Sequence, residues 1–143
     1  MILAVIISLF LSSDRLNSSG GWELLSSVSL TREYDDFMGQ EVDVPAFSEE
    51  IRRADGGELV LEGYVIPLDQ SPGQKYFVLS RFPFQSCFFC GNAGPETVVE
   101  VYSNEMLTVF DQRVRVQGRF QLNENDPLHL YYMLKDCEVK ILD

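Results

Sequence analysis

Apolar and polar positions alternate most regularly over Arg113–Leu122, where every second residue is apolar or glycine. A period of two places all the apolar side chains on one face of a β-strand. Four other segments are rich in the β-branched and aromatic residues that strands prefer: Leu59–Leu68, Tyr76–Leu79, Thr97–Tyr102 and Leu130–Ile141, the last being long enough for one strand or two. The pattern therefore predicts about five strands in the second part of the chain.

A short helix is predicted just before these strands. Ser48 can cap Glu49–Ala54, whose acidic residues fall in the first turn and whose basic residues fall in the last. The helix is expected to end at Asp55–Gly57, since glycine readily takes the backbone conformation of a helix end. The acidic segment Thr31–Phe37 shows no clear period, and we predict that it leads irregularly to Val42–Pro45.

The predicted strands are expected to close into a small barrel. Glycines such as Gly63 fall inside the strands and indicate bends or bulges. Closure also removes the unpaired edges that an open sheet exposes. We therefore predict a mainly β fold, with an OB-like (oligonucleotide/oligosaccharide-binding) five-stranded barrel and a short helix packed at its start. A β-sandwich is the alternative.

The chain begins with the almost wholly apolar segment Met1–Leu11, which a Ser/Gly-rich stretch, Ser12–Gly21, follows. Such a segment suits the core of a signal peptide and is too short to span a bilayer of about 30 Å. It lacks a basic start and a small-residue cleavage site, so a buried first strand or short helix is the alternative. We predict a signal-like segment and linker over residues 1–21, a single barrel domain over residues 22–143, and an exported protein that is periplasmic or membrane-associated; a cytoplasmic location is the alternative.

Composition supports a folded domain and argues against nucleic-acid binding. Apolar residues make up 45% of the 143 residues, including ten Phe and six Tyr, which is enough for one hydrophobic core. The 22 acidic and 11 basic residues give a formal net charge of −11. Such a surface repels phosphate backbones, so nucleic acid is not an expected partner.

One segment has residue types and a spacing that suggest chemistry: Cys87 and Cys90, which are separated by two phenylalanines. Two thiols at this spacing can bind zinc or another transition metal, or can form a disulfide bond. The possible third metal ligands are His129, Cys137 and Glu96. An extended strand would separate His129 from Cys137 by roughly 26 Å, so at most one of them is expected to join the pair.

The outside ligands also have structural explanations. Cys137 is expected to pack in the barrel, because free cysteines are commonly buried, and His129 is expected at the surface near a turn. A thioredoxin-like pair needs a helix after its first cysteine, and Gly91, Gly94 and Pro95 would break such a helix. No phosphate-binding loop, serine nucleophile motif or second histidine is present. We therefore predict no catalytic residue and do not favour an enzyme.

Several short motifs, in their order along the chain, resemble a family of uncharacterised bacterial exported domains, and the resemblance covers roughly residues 22–143. The segments that carry it are Gly63–Leu68 (Gly-Tyr-Val-Ile-Pro-Leu), Phe82-Pro83, Gly94–Val101, Val116–Gly118 and Leu134–Val139. The resemblance implies an OB-like barrel in the cell envelope and brings no established activity. Members of that family carry a Cys-x-His-x-Pro-Pro type loop where this chain has Cys87 and Cys90, so no metal site is carried over.

These observations predict a non-enzymatic cell-envelope OB-like domain that binds a metal ion or a partner through the loop of Cys87 and Cys90. The partner would be a protein or a membrane-associated complex. Two alternatives stay open. One is a thiol redox or electron-transfer accessory protein, and the other is a structural subunit of a membrane-associated complex.

Overall fold

The computed structural model describes residues 18–66, 73–88, 91–108 and 112–142. The described chain is mainly β, as predicted. Its helices and strands are, in chain order, α1 (Ser18–Leu25), β1 (Val28–Asp35), β2 (Gln40–Phe47), α2 (Glu49–Ala54), β3 (Glu58–Ile66), β4 (Gln74–Ser80), β5 (Val98–Leu107), β6 (Arg113–Leu122) and β7 (Tyr132–Ile141). Within these ranges, no helix is long and apolar enough to cross a membrane.

Strands β3 to β7 form a closed barrel in the order β3-β4-β5-β7-β6, and β6 pairs back with β3. All neighbouring strands are antiparallel except β5 and β7, which are parallel. This connectivity confirms the predicted OB-like five-stranded barrel rather than the sandwich. The largest inward-facing side chains are Leu59, Leu61, Phe77, Leu79, Phe120, Tyr132 and Leu134.

Two features bend the barrel wall. At Gly63 a Cβ atom would collide with the carbonyl of Ser80 on β4, so only glycine allows the two strands to come this close. Farther round the barrel, Gly118 of β6 faces both Asp136 and Cys137 of β7, which is a β-bulge. Asp136 takes a left-handed backbone conformation there (φ 52°), and the Cys137 side chain fills the space above Gly118.

Helix α1 packs on the barrel through its apolar side chains and through two hydrogen bonds. Trp22 and Leu25 are buried in the same cluster as the inward-facing barrel residues. The Trp22 Nε1–H donates to the Glu62 carbonyl of β3 at 2.7 Å, and the Tyr132 hydroxyl of β7 donates to the Leu25 carbonyl at 2.8 Å. Burial is the main cause that raises the pKa of Tyr132, which keeps this hydroxyl a donor.

The start of α1 differs from the prediction. Residues Ser18–Gly21 were expected to belong to a linker, yet they form the first part of the helix. Glycine has a low helix propensity, so the packing of Trp22 and Leu25, rather than local preference, stabilises this helix. The predicted signal-like segment, Met1–Leu11, lies outside the described residues.

A second sheet, the hairpin of β1 and β2, stands beside the barrel. The strands pair in register from Val28 opposite Phe47 to Asp35 opposite Gln40. Phe47 is buried at the base, where its ring meets Tyr131 edge-on with 5.6 Å between centroids. The prediction of an irregular path was therefore wrong. Both faces of this hairpin are largely solvated, so its residues do not show the alternation of a half-buried strand.

The local predictions for α2 and β6 are confirmed. The Ser48 hydroxyl accepts a hydrogen bond from the Ile51 N–H at 3.2 Å, and Ile51 is fully buried beneath the helix. Strand β6 covers the predicted range Arg113–Leu122, with its apolar residues facing inward. On its outer face Arg113 and Arg115 both bind the carboxylate of Glu62, and these contacts lower the pKa of Glu62.

Trp22 variants test the docking of α1. We expect Trp22→Phe to lower the free energy of unfolding by about 1–2 kcal/mol, because the Glu62 carbonyl loses its donor. Trp22→Ala should cost about 3–5 kcal/mol, because it also leaves a cavity. Urea unfolding followed by circular dichroism measures both, since Trp22 is the only tryptophan of the chain.

The matched control is Leu128→Ala, because the Leu128 side chain is 87% exposed. Its free energy of unfolding should stay within about 0.5 kcal/mol of the unmodified protein. A Trp22→Ala protein as stable as this control would contradict the docking of α1.

Candidate binding face on the outer barrel wall

Cys87 lies in the loop after β4 and is completely buried. It packs with Ile66, Val78 and Val98 in a small apolar cluster that is separate from the barrel core. These three residues lie on the outer face of β3, β4 and β5, so the cysteine loop covers this part of the outer wall. Cys90 lies outside the described residues, and its pairing with Cys87 stays a prediction.

Hydrogen bonds fix the ends of the cysteine loop. The Asn92 side chain donates to the Gln85 carbonyl at 2.9 Å and so joins the two sides of the loop. Gly91 has a φ of 77°, a conformation that favours glycine. Near β5 the Thr97 hydroxyl donates to the Gly94 carbonyl at 2.6 Å. The loop is therefore held against the barrel from both sides of Cys87.

The three predicted outside ligands lie in different surroundings. Cys137 packs in the barrel core, as expected, and burial raises its pKa to about 12. The Glu96 carboxylate folds back over Gly94. His129 lies in the loop between β6 and β7 and contacts a different carboxylate. In the part of the chain that the structure describes, no three His, Cys, Asp or Glu side chains are grouped to hold a metal ion.

The carboxylate that His129 contacts is Glu100, which was missed in the sequence. Glu100 lies on the outer face of β5, yet its side chain is only 4% exposed. The Tyr76 hydroxyl of β4 donates to it in a short hydrogen bond, and His129 Nδ1 lies 3.0 Å from the same oxygen. Burial first, and Glu100 second, raise the pKa of Tyr76, so its hydroxyl keeps the proton that it donates.

A charged residue within an apolar strand was the one sequence signal for this contact. Glu100 stands among four valines and alternates with two inward-facing ones, Val99 and Val101. A buried carboxylate needs partners, because its charge loses hydration. The sequence could therefore indicate that partners exist. It could not indicate that they are Tyr76 and His129, which come from distant parts of the chain.

The loop that carries His129 is held by its own hydrogen bonds. The Asn123 side chain donates to the carbonyls of Asp126 at 2.7 Å and Leu130 at 3.0 Å. In return, the Asp126 N–H donates to Asn123 Oδ1 at 2.9 Å, and the Asp126 carboxylate accepts from the Leu128 N–H at 3.0 Å. The loop thus presents His129 to Glu100 in a preformed conformation.

Two further side chains extend this polar site into an aromatic surface. Tyr102 lies directly across from Tyr76, with ring centroids 4.8 Å apart. On the next strand, Lys135 places its Nζ 3.4 Å from the centroid of the Tyr102 ring, a cation–π contact. We call the surface formed by Tyr76, Glu100, Tyr102, His129 and Lys135 the β4–β5–β7 face.

The position of this face matches the ligand-binding surface of OB barrels. Such barrels bind ligands on the face of their second and third strands and with the loop between the fourth and fifth. These correspond here to β4, β5 and the loop over residues 123–131. The face offers aromatic rings, a cation, a carboxylate and an imidazole, which suit stacking and hydrogen bonding to a partner.

The chain is similar in structure to a DUF3299 family protein from Pseudomonas aeruginosa PAO1, known from a crystal structure at 2.45 Å resolution. The TM-score is 0.52 and the sequence identity is 20%, over 69% of this chain and 68% of that chain. At this identity the likeness shows the fold alone, and the individual motifs of the predicted resemblance stay predictions. No family model matches the chain, and no curated protein matches it.

The burial of Cys87 and Cys137 predicts slow reaction with a thiol reagent. In a reduced Cys90→Ser protein, we expect both remaining thiols to react with Ellman's reagent roughly 100-fold more slowly than in denaturing urea, because they must first become exposed. A thiol that reacts rapidly in the folded protein would contradict this burial and favour the redox alternative.

The raised pKa of Tyr76 predicts a loss of stability in alkali. Its folded-state pKa lies above the ordinary value of about 10, so its contribution is fully present below that pH and decreases as the pH rises further. Tyr76→Phe should therefore cost about 1–2 kcal/mol near neutral pH, through the lost hydrogen bond, and should flatten the alkaline decline.

Urea unfolding at a series of pH values from neutral to alkaline measures this effect. Tyr132→Phe should also flatten the decline, because the pKa of Tyr132 is raised as well. Tyr34→Phe is the control, since Tyr34 is 65% exposed. An alkaline decline in Tyr76→Phe equal to that of the Tyr34→Phe control would show that Tyr76 does not hold its proton against Glu100.

Proposed function

We propose that the chain is a non-enzymatic cell-envelope OB-like domain that binds a protein partner through the β4–β5–β7 face and the adjoining cysteine loop. The observation that carries this proposal is the burial of Glu100 between Tyr76 and His129 on the outer wall of the barrel. Burying a carboxylate is costly, and the barrel core does not need one at an outward position. Such costly polar arrangements are concentrated at functional sites.

The chemistry of the face supports a protein partner. The Tyr102 ring with Lys135 above it can stack on an aromatic or peptide group, and Tyr and Lys stems cover apolar surface while keeping polar ends in water. The net charge of −11 argues against a nucleic-acid partner. Export to the cell envelope rests on the signal-like segment at the start of the sequence.

In this proposal the cysteine loop has a structural role beside the face. Cys87 is enclosed by Ile66, Val78 and Val98, so its side chain anchors the loop on the outer wall. A disulfide between Cys87 and Cys90 would strengthen that anchor in an oxidising compartment. Zinc or another transition metal is less well supported, because among the described residues no group of three ligands surrounds Cys87.

Quantitative co-purification from solubilised membranes tests the proposal. The affinity-tagged full chain is compared with a Tyr102→Ala, Lys135→Ala double variant, which removes the stacking surface. The matched control is Glu50→Ala with Arg53→Ala, two exposed residues of α2. We expect a defined partner to fall by at least roughly 10-fold with the face variant and to be retained by the control, because interface energy is concentrated in a few central residues.

Two results would overturn the proposal. One is a partner that binds the face variant and the control variant equally well. The other is stoichiometric zinc, or another transition metal, in protein purified under reducing conditions, if Cys87→Ala with Cys90→Ala abolishes the metal. That second result would replace partner binding at this loop with a metal site.

A further inference from the structure

The β1–β2 hairpin is a second surface, and its role does not depend on the proposed function of the β4–β5–β7 face. Of residues 28–47, Phe47 alone is buried, at the base of the hairpin. The remaining length extends beside the barrel, and apart from its pairing it adds little to the hydrophobic core. A long exposed hairpin of this kind needs an explanation other than core packing.

The tip of the hairpin is apolar and almost completely exposed. Phe37 is 99% exposed, and Met38 and Tyr34 are 57% and 65% exposed. Phe37 and Met38 lie within the turn Asp36–Gly39, where polar residues would form the turn equally well. Their side chains therefore do not serve the turn, and they expose apolar surface at the outermost point of the hairpin.

The turn also holds this apolar tip in a fixed conformation. The Asp35 carboxylate accepts hydrogen bonds from the backbone N–H groups of Phe37 at 2.8 Å and Met38 at 2.9 Å. The Gly39 N–H donates to the Asp35 carbonyl at 2.8 Å, and Gly39 has a φ of 67°. A preformed tip loses less conformational freedom when it binds, which favours affinity.

Acidic side chains surround the tip. Residues 28–47 contain five carboxylates and one guanidinium, that of Arg32. Arg32 lies near two of the carboxylates, 3.6 Å from Asp43 and 3.9 Å from Glu41. Glu33 and Asp36 stay exposed beside the apolar tip. Charge complementarity therefore requires that whatever covers Phe37 be positively charged around its apolar contact.

We infer that the tip of the hairpin docks into an apolar pocket on a partner protein, and that basic residues rim this pocket. Phe37 is the anchor, Met38 and Tyr34 widen the contact, and the carboxylates meet the basic rim. An anionic lipid surface would repel the same carboxylates. A second copy of this chain, with a net charge of −11, would repel them as well.

Site-specific photo-crosslinking identifies the partner. The full chain is produced in the cells of its source with benzoyl-phenylalanine in place of Phe37. A matched chain carries the same group at Met106, which is 63% exposed at the end of β5. We expect position 37, and not position 106, to give a discrete adduct with another protein, which mass spectrometry then identifies.

Binding of the purified adduct partner to the full chain then decides the matter. We expect Phe37→Ser with Met38→Ser to weaken affinity at least roughly 10-fold, and Met106→Ser to leave it unchanged, because anchors carry most of the binding energy. Glu33→Gln with Asp36→Asn should weaken binding and reduce its salt dependence, whereas Glu50→Gln should do neither. The urea midpoint of the tip variant should equal that of the unmodified protein, which excludes a loss through unfolding.

The opposite results would overturn the inference. These are the absence of an adduct at position 37, an adduct with lipid alone or with a second copy of the chain, or a partner whose affinity the tip variant leaves unchanged. Each can occur whether or not the β4–β5–β7 face binds a partner. The Tyr102→Ala, Lys135→Ala variant therefore keeps the failure of this inference separate from that of the proposed function.

Discussion

The pairing of β3 with β6 is the constraint on which the rest of the structure depends, because it closes five strands into a barrel. Once the sheet is closed, every strand has one face toward the core and one toward the outside. The inner face is filled by apolar side chains, and Gly63 and the bulge at Asp136 allow the wall to bend enough to close. Polar chemistry is then confined to the outer wall and the connecting loops.

That outer wall is divided between two uses. One part is covered by the cysteine loop, with Cys87 packed on Val78 and Val98. The neighbouring part carries the β4–β5–β7 face, where Glu100 is buried by Tyr76 and by the loop of His129. Both coverings come from outside the barrel strands. A carboxylate on an outward position has thus become nearly as inaccessible as a core residue, without entering the core.

The elements before the barrel differ in the same way. Helix α1 shares the barrel's core through Trp22 and Leu25, so it is part of the same cooperative unit. The β1–β2 hairpin joins that core at Phe47 and then extends into solvent, where its tip exposes Phe37 in a fixed turn. Apolar residues at one end of the hairpin stabilise the fold. Those at the other end are left for contacts that the chain does not make with itself.

The sequence by itself determined the features that depend on neighbouring residues. The alternation over Arg113–Leu122, the cap at Ser48 and the glycine at Gly63 were enough to predict the strands, a helix and a small barrel. The sequence also gave reasons to place Cys137 in the core, since a buried free cysteine behaves as a small apolar residue. The hairpin was missed because both of its faces are solvated, so its strands lack the alternation that burial imposes.

Only the tertiary structure decided which distant residues meet. Glu100 was readable as an unusual residue among valines, but Tyr76 and His129 reach it only because β4 pairs with β5 and the loop after β6 folds over them. Cys87 was readable as half of a motif, but its apolar surroundings come from three different strands. The physical reason is that alternation and capping act over a few residues, whereas burial and charge pairing depend on contacts between segments far apart in the chain.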